Sequence, residues 1–234
     1  MTIGGPILAI ETSCGETAAA VVEGRTIVSS IVASQAELHA PYGGVVPEVA
    51  ARHHLGTVNA VVDRALADAG LVLGDVSAVA VTQRPGLIGA LLIGVATAKA
   101  IAYGARKPLI MVDHLHGHIA AAWLDRTPLA PPFVSLIASG GHTRLDLVTD
   151  LRAPRTLGQT IDDAAGEAID KGARILGLGY PGGPALERLA TGGDRAAHRF
   201  PVGLRGAGMR DFSFAGVKTS LLYAVRDLGE PLEE

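Results

Sequence analysis

At 234 residues, 48% hydrophobic and 18% charged, the chain has ample core for one large domain or two small ones, which excludes a disordered tail and a coiled coil. A formal net charge of −3 gives no global support to nucleic-acid binding, and the single cysteine, Cys14, excludes an internal disulfide and suits a reducing compartment. No apolar run reaches the roughly 18 residues of a membrane span and no basic stretch precedes an apolar core at the N-terminus, so a soluble, cytoplasmic protein with no membrane contact is expected.

Residues 6–13 read as a short apolar strand ending in Glu11-Thr12-Ser13. The turn Cys14-Gly15-Glu16 follows, then a strand over 17–22, a turn at Glu23-Gly24 and a strand over 26–32. A helical pattern occupies 46–69; an apolar strand over 76–82 leads through Arg84-Pro85-Gly86 to a small-residue helix over 89–103 and a strand over 109–112. Asp113-His114-Leu115-His116-Gly117-His118 comes next. On a helix His114 and His118 stand one turn apart, a spacing at which two imidazoles share one transition-metal ion, whereas His116 lies about 200° from His114. Two surface histidines on an exposed helix would look the same, and the spacing alone does not decide between them.

The same opening returns about 125 residues later. Residues 132–139 match the first strand, Gly140-Gly141-His142 the first turn, 143–148 the second strand, and 156–158 lie in the third. Helical patterns follow over 163–176, 184–190 and 214–228, with Asp162 or Asp163 expected to cap the first of them. The first half continues into a further strand, a Pro-Gly turn, a helix and another strand; the second half does not. Two related α/β domains around a cleft are therefore expected, 1–113 and 114–234, the second incomplete, each offering a turn to a bound phosphate. This is the outline of the actin, sugar-kinase and heat-shock chaperone ATPase (ASKHA) class. Between Arg188 and Lys218 the arginines and Lys218 outweigh Asp194 and Asp211, a local excess of positive charge that also suits a solvated loop-rich surface.

Eight segments in order resemble one family. They are residues 11–17 and 39–48, Arg84-Pro85-Gly86-Leu87, His114 to His118, Ser139-Gly140-Gly141-His142-Thr143, residues 162–171, Tyr180-Pro181-Gly182-Gly183-Pro184, and residues 211–219. The family is the tRNA threonylcarbamoyladenosine transferase TsaD, once mislabelled an O-sialoglycoprotein endopeptidase. The resemblance implies transfer of a threonylcarbamoyl group from threonylcarbamoyl-AMP to N6 of the adenosine 3′ of the anticodon, position 37, in tRNAs reading ANN codons. It implies one iron or zinc ion per subunit on His114 and His118. It also implies substrate binding by Ile137, Ala138, Ser139, Gly140, Gly141, Asp170 and Gly183, with Glu187 standing where many members carry an aspartate, and partner proteins TsaB and TsaE.

The chemistry is sensible for these residue types. Attack of an amine on a carbamoyl carbon builds charge on oxygen that a metal can polarise, and Gly-rich backbone amides can hold an adenylate phosphate. No residue stands out as general base; Asp162 and Asp163 are candidates by proximity alone. Against the family pattern, Gly15 replaces an aspartate, Arg84 a glycine and His116 a glutamate. The family's third metal ligand, an aspartate, and a substrate-binding asparagine have no match here, so the chain reads as C-terminally truncated, leaving the sheet edge at 133–138 uncovered. Two other functions share the outline: a phosphotransferase of the same fold, which would want an acidic residue where Gly15 stands, and a non-catalytic truncated paralogue that only binds the modification complex. A His-Glu-x-x-His zinc peptidase is excluded because Leu115 follows His114.

Overall fold

The structure is a computed structural model that describes residues 4–124 and 129–229. The chain divides into two compact units, Met1–Leu38 with Val45–Leu129, and His39–Gly44 with Ala130–Glu234.

In unit 1 the meander β1 (Ile7–Glu11), β2 (Glu16–Glu23) and β3 (Thr26–Ser34) is antiparallel, with Leu8 opposite Val21 and Ile10 opposite Ala19. After the short α1 (Ala36–His39) and a 3-10 turn at Ala40–Tyr42 comes α2 (Pro47–Asp68), which carries the chain over to β4 (Ala78–Arg84). A second crossover, α3 (Ile88–Ala105), leads to β5 (Leu109–Asp113), and α4 (His114–Ala121) leaves its end. β4 pairs parallel with β1, and β5 parallel with β4, so the sheet order is β3-β2-β1-β4-β5. Alternation along the strands sends Leu8, Ile10, Ala19, Val21, Val79 and Val81 to one face, where Val58, Val61, Val62 and Ala65 of α2 and Ala98 of α3 close the core.

Small side chains let α3 approach closely: Ala90, Gly94, Ala98 and Ala102 are buried at every fourth position. A Cβ at Gly94 would overlap Thr12 Oγ1, and that hydroxyl donates to the Ala90 carbonyl at 2.8 Å. Gly104, by contrast, has no atom within 4 Å of such a Cβ. Gly94→Val should therefore cost about 2 kcal/mol or more, from overpacking in the core. Gly104→Ala should stabilise by about 0.5–1 kcal/mol, through helix propensity and a stiffer unfolded chain. Urea midpoints of the two variants against the parent check both signs. Among the described residues α3 is also the one helix long and apolar enough to cross a membrane, interrupted by Thr97 and Lys99. Its Ala/Gly stripe lies on the sheet.

Unit 2 opens on the same antiparallel meander, β6 (Phe133–Ala138), β7 (Thr143–Val148) and β8 (Arg155–Gln159), in the order β6-β7-β8. β6 is an edge strand on which Val134 and Leu136 are exposed while Ile137 is buried. Inside the sheet the buried Asp146 carboxylate takes hydrogen bonds from Arg144 at 2.8 Å and Thr156 at 2.9 Å. Three helices follow: α5 (Ala165–Ile175), α6 (Gly182–Ala190) and α7 (Ala215–Asp227), with α5 packed on both others. Phe212 joins the meander by a parallel bridge to Thr160. The repeated meander and the 3-2-1-4-5 sheet place the chain in the actin, sugar-kinase and chaperone ATPase fold class.

Candidate functional site

Asp113 ends β5 and caps α4, its Oδ1 accepting from the Leu115 amide at 3.0 Å and the His116 amide at 3.4 Å. The helix thus begins at His114 itself. Leu115 and Ile119, one turn apart and both buried, fix its rotation, and His114 and His118 fall on the neighbouring stripe. Their Nε2 atoms lie 3.1 Å apart, with the rings nearly perpendicular at 80°. His114 Nδ1 lies 3.2 Å from Glu11 Oε2 and 3.3 Å from Ser13 Oγ.

Burial pushes the Glu11 carboxyl up, but hydrogen bonds from His114, Thr82 and Ser13 outweigh it and bring the pKa down to about 2. An ionised carboxylate only accepts, so His114 carries its proton on Nδ1, and in the neutral ring the Nε2 lone pair faces His118. The Glu11 hydrogen bond raises the His114 pKa against the effect of burial, while burial and then the neighbouring His114 lower that of His118. Two imidazoles on a tetrahedral ion at bond lengths of about 2.0–2.1 Å hold their nitrogens about 3.4 Å apart, and a carboxylate behind the ring is the usual second partner of a metal-bound histidine. The pair fits a metal on both counts. No group of three or more His, Cys, Asp or Glu side chains suited to a metal occurs among the described residues. Arg84, where the family pattern has glycine, runs out into solvent and places its Nε 3.4 Å from Asp113 Oδ2. The role of Glu11 behind His114 is not readable from helical spacing; its signal is an acidic residue ending the first of three parallel strands, where such sheets place ligands.

The remaining predicted residues lie in unit 2. The β6–β7 turn is closed by Ser139 N donating to the His142 carbonyl at 2.8 Å and by His142 N donating to Ser139 Oγ at 3.1 Å. The start of α5 abuts it: Gly166 N donates to the Ser139 carbonyl at 3.0 Å, and a Cβ at Gly166 would stand 2.7 Å from that oxygen. Gly140 and Gly141 differ. Nothing lies within 4 Å of a Cβ at either and neither has a left-handed backbone, so packing within the described chain does not require glycine there. No described group accepts from their amides. Ile137 is buried in the core and Ala138 is exposed, so Ile137 can meet a ligand only through its backbone.

Asp170 lies one turn beyond Gly166 on α5, on the side of the Ser139 turn, and its Oδ1 accepts from the Gly182 amide at 2.9 Å at the start of α6. Gly182 is demanded by packing, since a Cβ there would overlap Ala173 Cβ; Gly183 has room, with Ile169 at 3.8 Å. Glu187 is exposed one turn further along α6.

Neither Asp162 nor Asp163 caps α5. The cap residue is Ala164, whose amide donates to Glu167 at 3.4 Å, because both aspartates are drawn to partners far along the chain. Asp162 accepts from Ser213 Oγ and, at 2.8 Å, from the Phe214 amide. Asp163 meets Lys171 Nζ at 2.7 Å and Lys218 Nζ at 3.0 Å. The Lys171 hydrogen bond, then that of Lys218 against the effect of burial, hold Asp163 below the usual carboxylate range. A depressed folded pKa gives stability that is present above the unfolded value and lost as pH falls through the folded one. Asp163→Asn should therefore unfold at lower urea than the parent at pH 7, and the difference should shrink below about pH 4. A gap independent of pH would contradict the ion-pair assignment.

Residues 26–234 match the profile of the family described as TsaD: tRNA N6-adenosine threonylcarbamoyltransferase. The tRNA N6-adenosine threonylcarbamoyltransferase of Cyanothece sp. is 56% identical over 227 residues, 95% of this chain and 66% of the relative. That of Syntrophobacter fumaroxidans is 54% identical over 228 residues, 97% of this chain and 67% of the relative. The chain thus spans about two thirds of the length of the curated relatives it matches. Among solved structures, component A of the (R)-2-hydroxyglutaryl-CoA dehydratase of Acidaminococcus fermentans aligns with a TM-score of 0.52 at 12% identity, covering 98% of this chain and 70% of that one. This last likeness concerns the fold.

Proposed function

Because the chain belongs to the TsaD family of tRNA N6-adenosine threonylcarbamoyltransferases, we propose that it carries the donor-binding part of that activity, with threonylcarbamoyl-AMP as donor and adenosine 37 of ANN-reading tRNAs as acceptor. The observation that carries this reading is the Ser139–Gly140–Gly141 turn, whose two glycines have open space beside them and amides that no described group of the chain accepts. Those amides cradle the donor phosphate. Asp170, beside the turn on α5, and Gly183 and Glu187 on α6 hold the nucleoside part. The acceptor N6 amine attacks the carbamoyl carbon, a C–N bond forms, the bond from that carbon to the phosphate oxygen breaks, AMP leaves and the amine proton passes to solvent. With so good a leaving group, the chain's contribution is positioning. His114 and His118 would hold an iron or zinc ion, which supplies Lewis-acid polarisation when bound.

The unit 1 helices support a protein partner, for which TsaB and TsaE are the candidates. α2 and α3 meet where a Cβ at Gly89 would touch Ala51 at 3.2 Å, and beside that contact Leu55, Ile88 and Leu92 are exposed, Ile88 at 86%. A cytoplasmic location follows from a tRNA substrate. The phosphotransferase alternative lacks the acidic residue it would want at position 15, where Gly15 is buried and its carbonyl accepts from Gln35 N at 2.9 Å. The test is threonylcarbamoyladenosine formation, read by mass spectrometry of digested tRNA, with the adenylate-forming enzyme, threonine, bicarbonate and ATP, run on the polypeptide at its relatives' full length. Product with the parent and none with Gly140→Val supports the reading; equal product from both refutes it.

A further inference from the structure

The segment from Arg195 to Arg210 is the most positive stretch of the chain, holding Arg195, Arg199, Arg205 and Arg210 with no acidic residue between them. Arg195, His198, Arg199, Phe200 and Arg205 line an open groove of about 730 Å³. All five are exposed, and among the described residues none of the four arginines has a carboxylate within salt-bridge distance. The acidic residues at the two ends of the segment are tied to backbone: Asp194 accepts from Ala196 N at 2.8 Å and Asp211 from Gln159 N at 2.9 Å.

The segment is irregular, yet its end is fixed. A Cβ at Gly158 would overlap the Arg210 carbonyl, and a Cβ at Gly203 would stand 2.6 Å from the Ser213 carbonyl. Phe212 N donates to the Gln159 carbonyl at 3.0 Å, and the Phe212 carbonyl accepts from Ile161 N at 3.0 Å. The arginines therefore lie without counter-charges on an irregular segment anchored at Gly203 and at Arg210 to Phe212. His198 and Phe200 lie with ring centroids 6.2 Å apart at the same place, a surface on which an unpaired base can stack.

A chain of net charge −3 repels a polyanion as a whole, so a tRNA-binding member of this composition needs a local positive surface. We propose that the groove lined by Arg195, His198, Arg199, Phe200 and Arg205 holds the ribose-phosphate backbone of the RNA substrate, with Phe200 against an unpaired base. The inference rests on the proposed function and locates its RNA.

The test is a fluorescence-anisotropy titration of labelled unfractionated tRNA with the 234-residue chain at several salt concentrations. The arginines are exposed, so the triple variant Arg195→Ala, Arg199→Ala, Arg205→Ala should keep its circular dichroism. It should bind tRNA about tenfold or more weakly near 0.1 M salt, with the slope of log affinity against log salt reduced by about 2–3. The triple Lys variant should recover most of that loss, and Phe200→Ala should weaken tRNA binding more than binding of a plain RNA duplex. Unchanged affinity and slope in the triple Ala variant overturn the location and leave the proposed function standing, provided AMP still binds the parent in a separate titration. No tRNA binding by the parent overturns the inference, and the separate AMP titration then decides the donor-binding reading. If the triple Ala variant instead loses only binding to phosphatidylserine vesicles, the surface belongs to membranes and the inference fails.

Discussion

Gly140→Val should abolish AMP binding, a loss of about 100-fold or more, equal to about 2.7 kcal/mol, while leaving the urea midpoint nearly unchanged. The two halves of this result have separate causes. Nothing lies within 4 Å of a Cβ at residue 140 and its backbone is not left-handed, so the folded chain accepts a branched side chain there. The same branch stands beside the unclaimed amides of Gly140 and Gly141 and excludes a phosphate from them. Gly166→Ala makes the contrast. Its Cβ would press on the Ser139 carbonyl at 2.7 Å and the Gly140 amide at 2.8 Å, so it should lower the midpoint as well as the affinity. Isothermal titration with AMP beside urea unfolding separates the two variants. Normal AMP binding by Gly140→Val would remove the turn from the ligand site.

These glycines also show which parts of the molecule the sequence reveals. The strands of both meanders, the two crossover helices and the Ser139 turn are set by local pattern: alternating apolar residues, then a polar or glycine stop. The same is true of His114 and His118, whose pairing depends only on one turn of helix. What pattern cannot supply is a partner distant in sequence. Asp163 looks like a helix cap until Lys218, which is 55 residues away, reaches its carboxylate. Gly182 and Gly183 look alike, yet one is pressed against Ala173 and the other has space. Glu11 looks like the end of a strand, and it meets His114 only because parallel pairing through β4 brings the ends of β1 and β5 to one edge. The short α1 has only four residues, too few for a periodic signal.

His114→Ala with His118→Ala should remove bound zinc or iron from the purified protein while its circular dichroism stays that of the parent. The helix does not depend on these rings: Leu115 and Ile119 bury its inner stripe and Asp113 caps its first turn. The imidazoles have a different task, with Nε2 atoms converging to 3.1 Å and the Glu11 carboxylate behind His114. That carboxylate yields a second, graded result. Glu11→Gln keeps an oxygen that can accept from Nδ1 but removes the charge that makes the imidazole a better donor, so metal affinity should fall by about 10-fold or more with both histidines intact. Zn²⁺ titration against a colorimetric chelator, with metal content measured by mass spectrometry, orders the three proteins as parent, Glu11→Gln, then the double histidine variant. Unchanged stoichiometry in the double variant would sink the ligand assignment. A Glu11→Gln variant equal to the parent would keep the histidines as ligands and leave Glu11 as a structural anchor, held by Thr82 and Ser13.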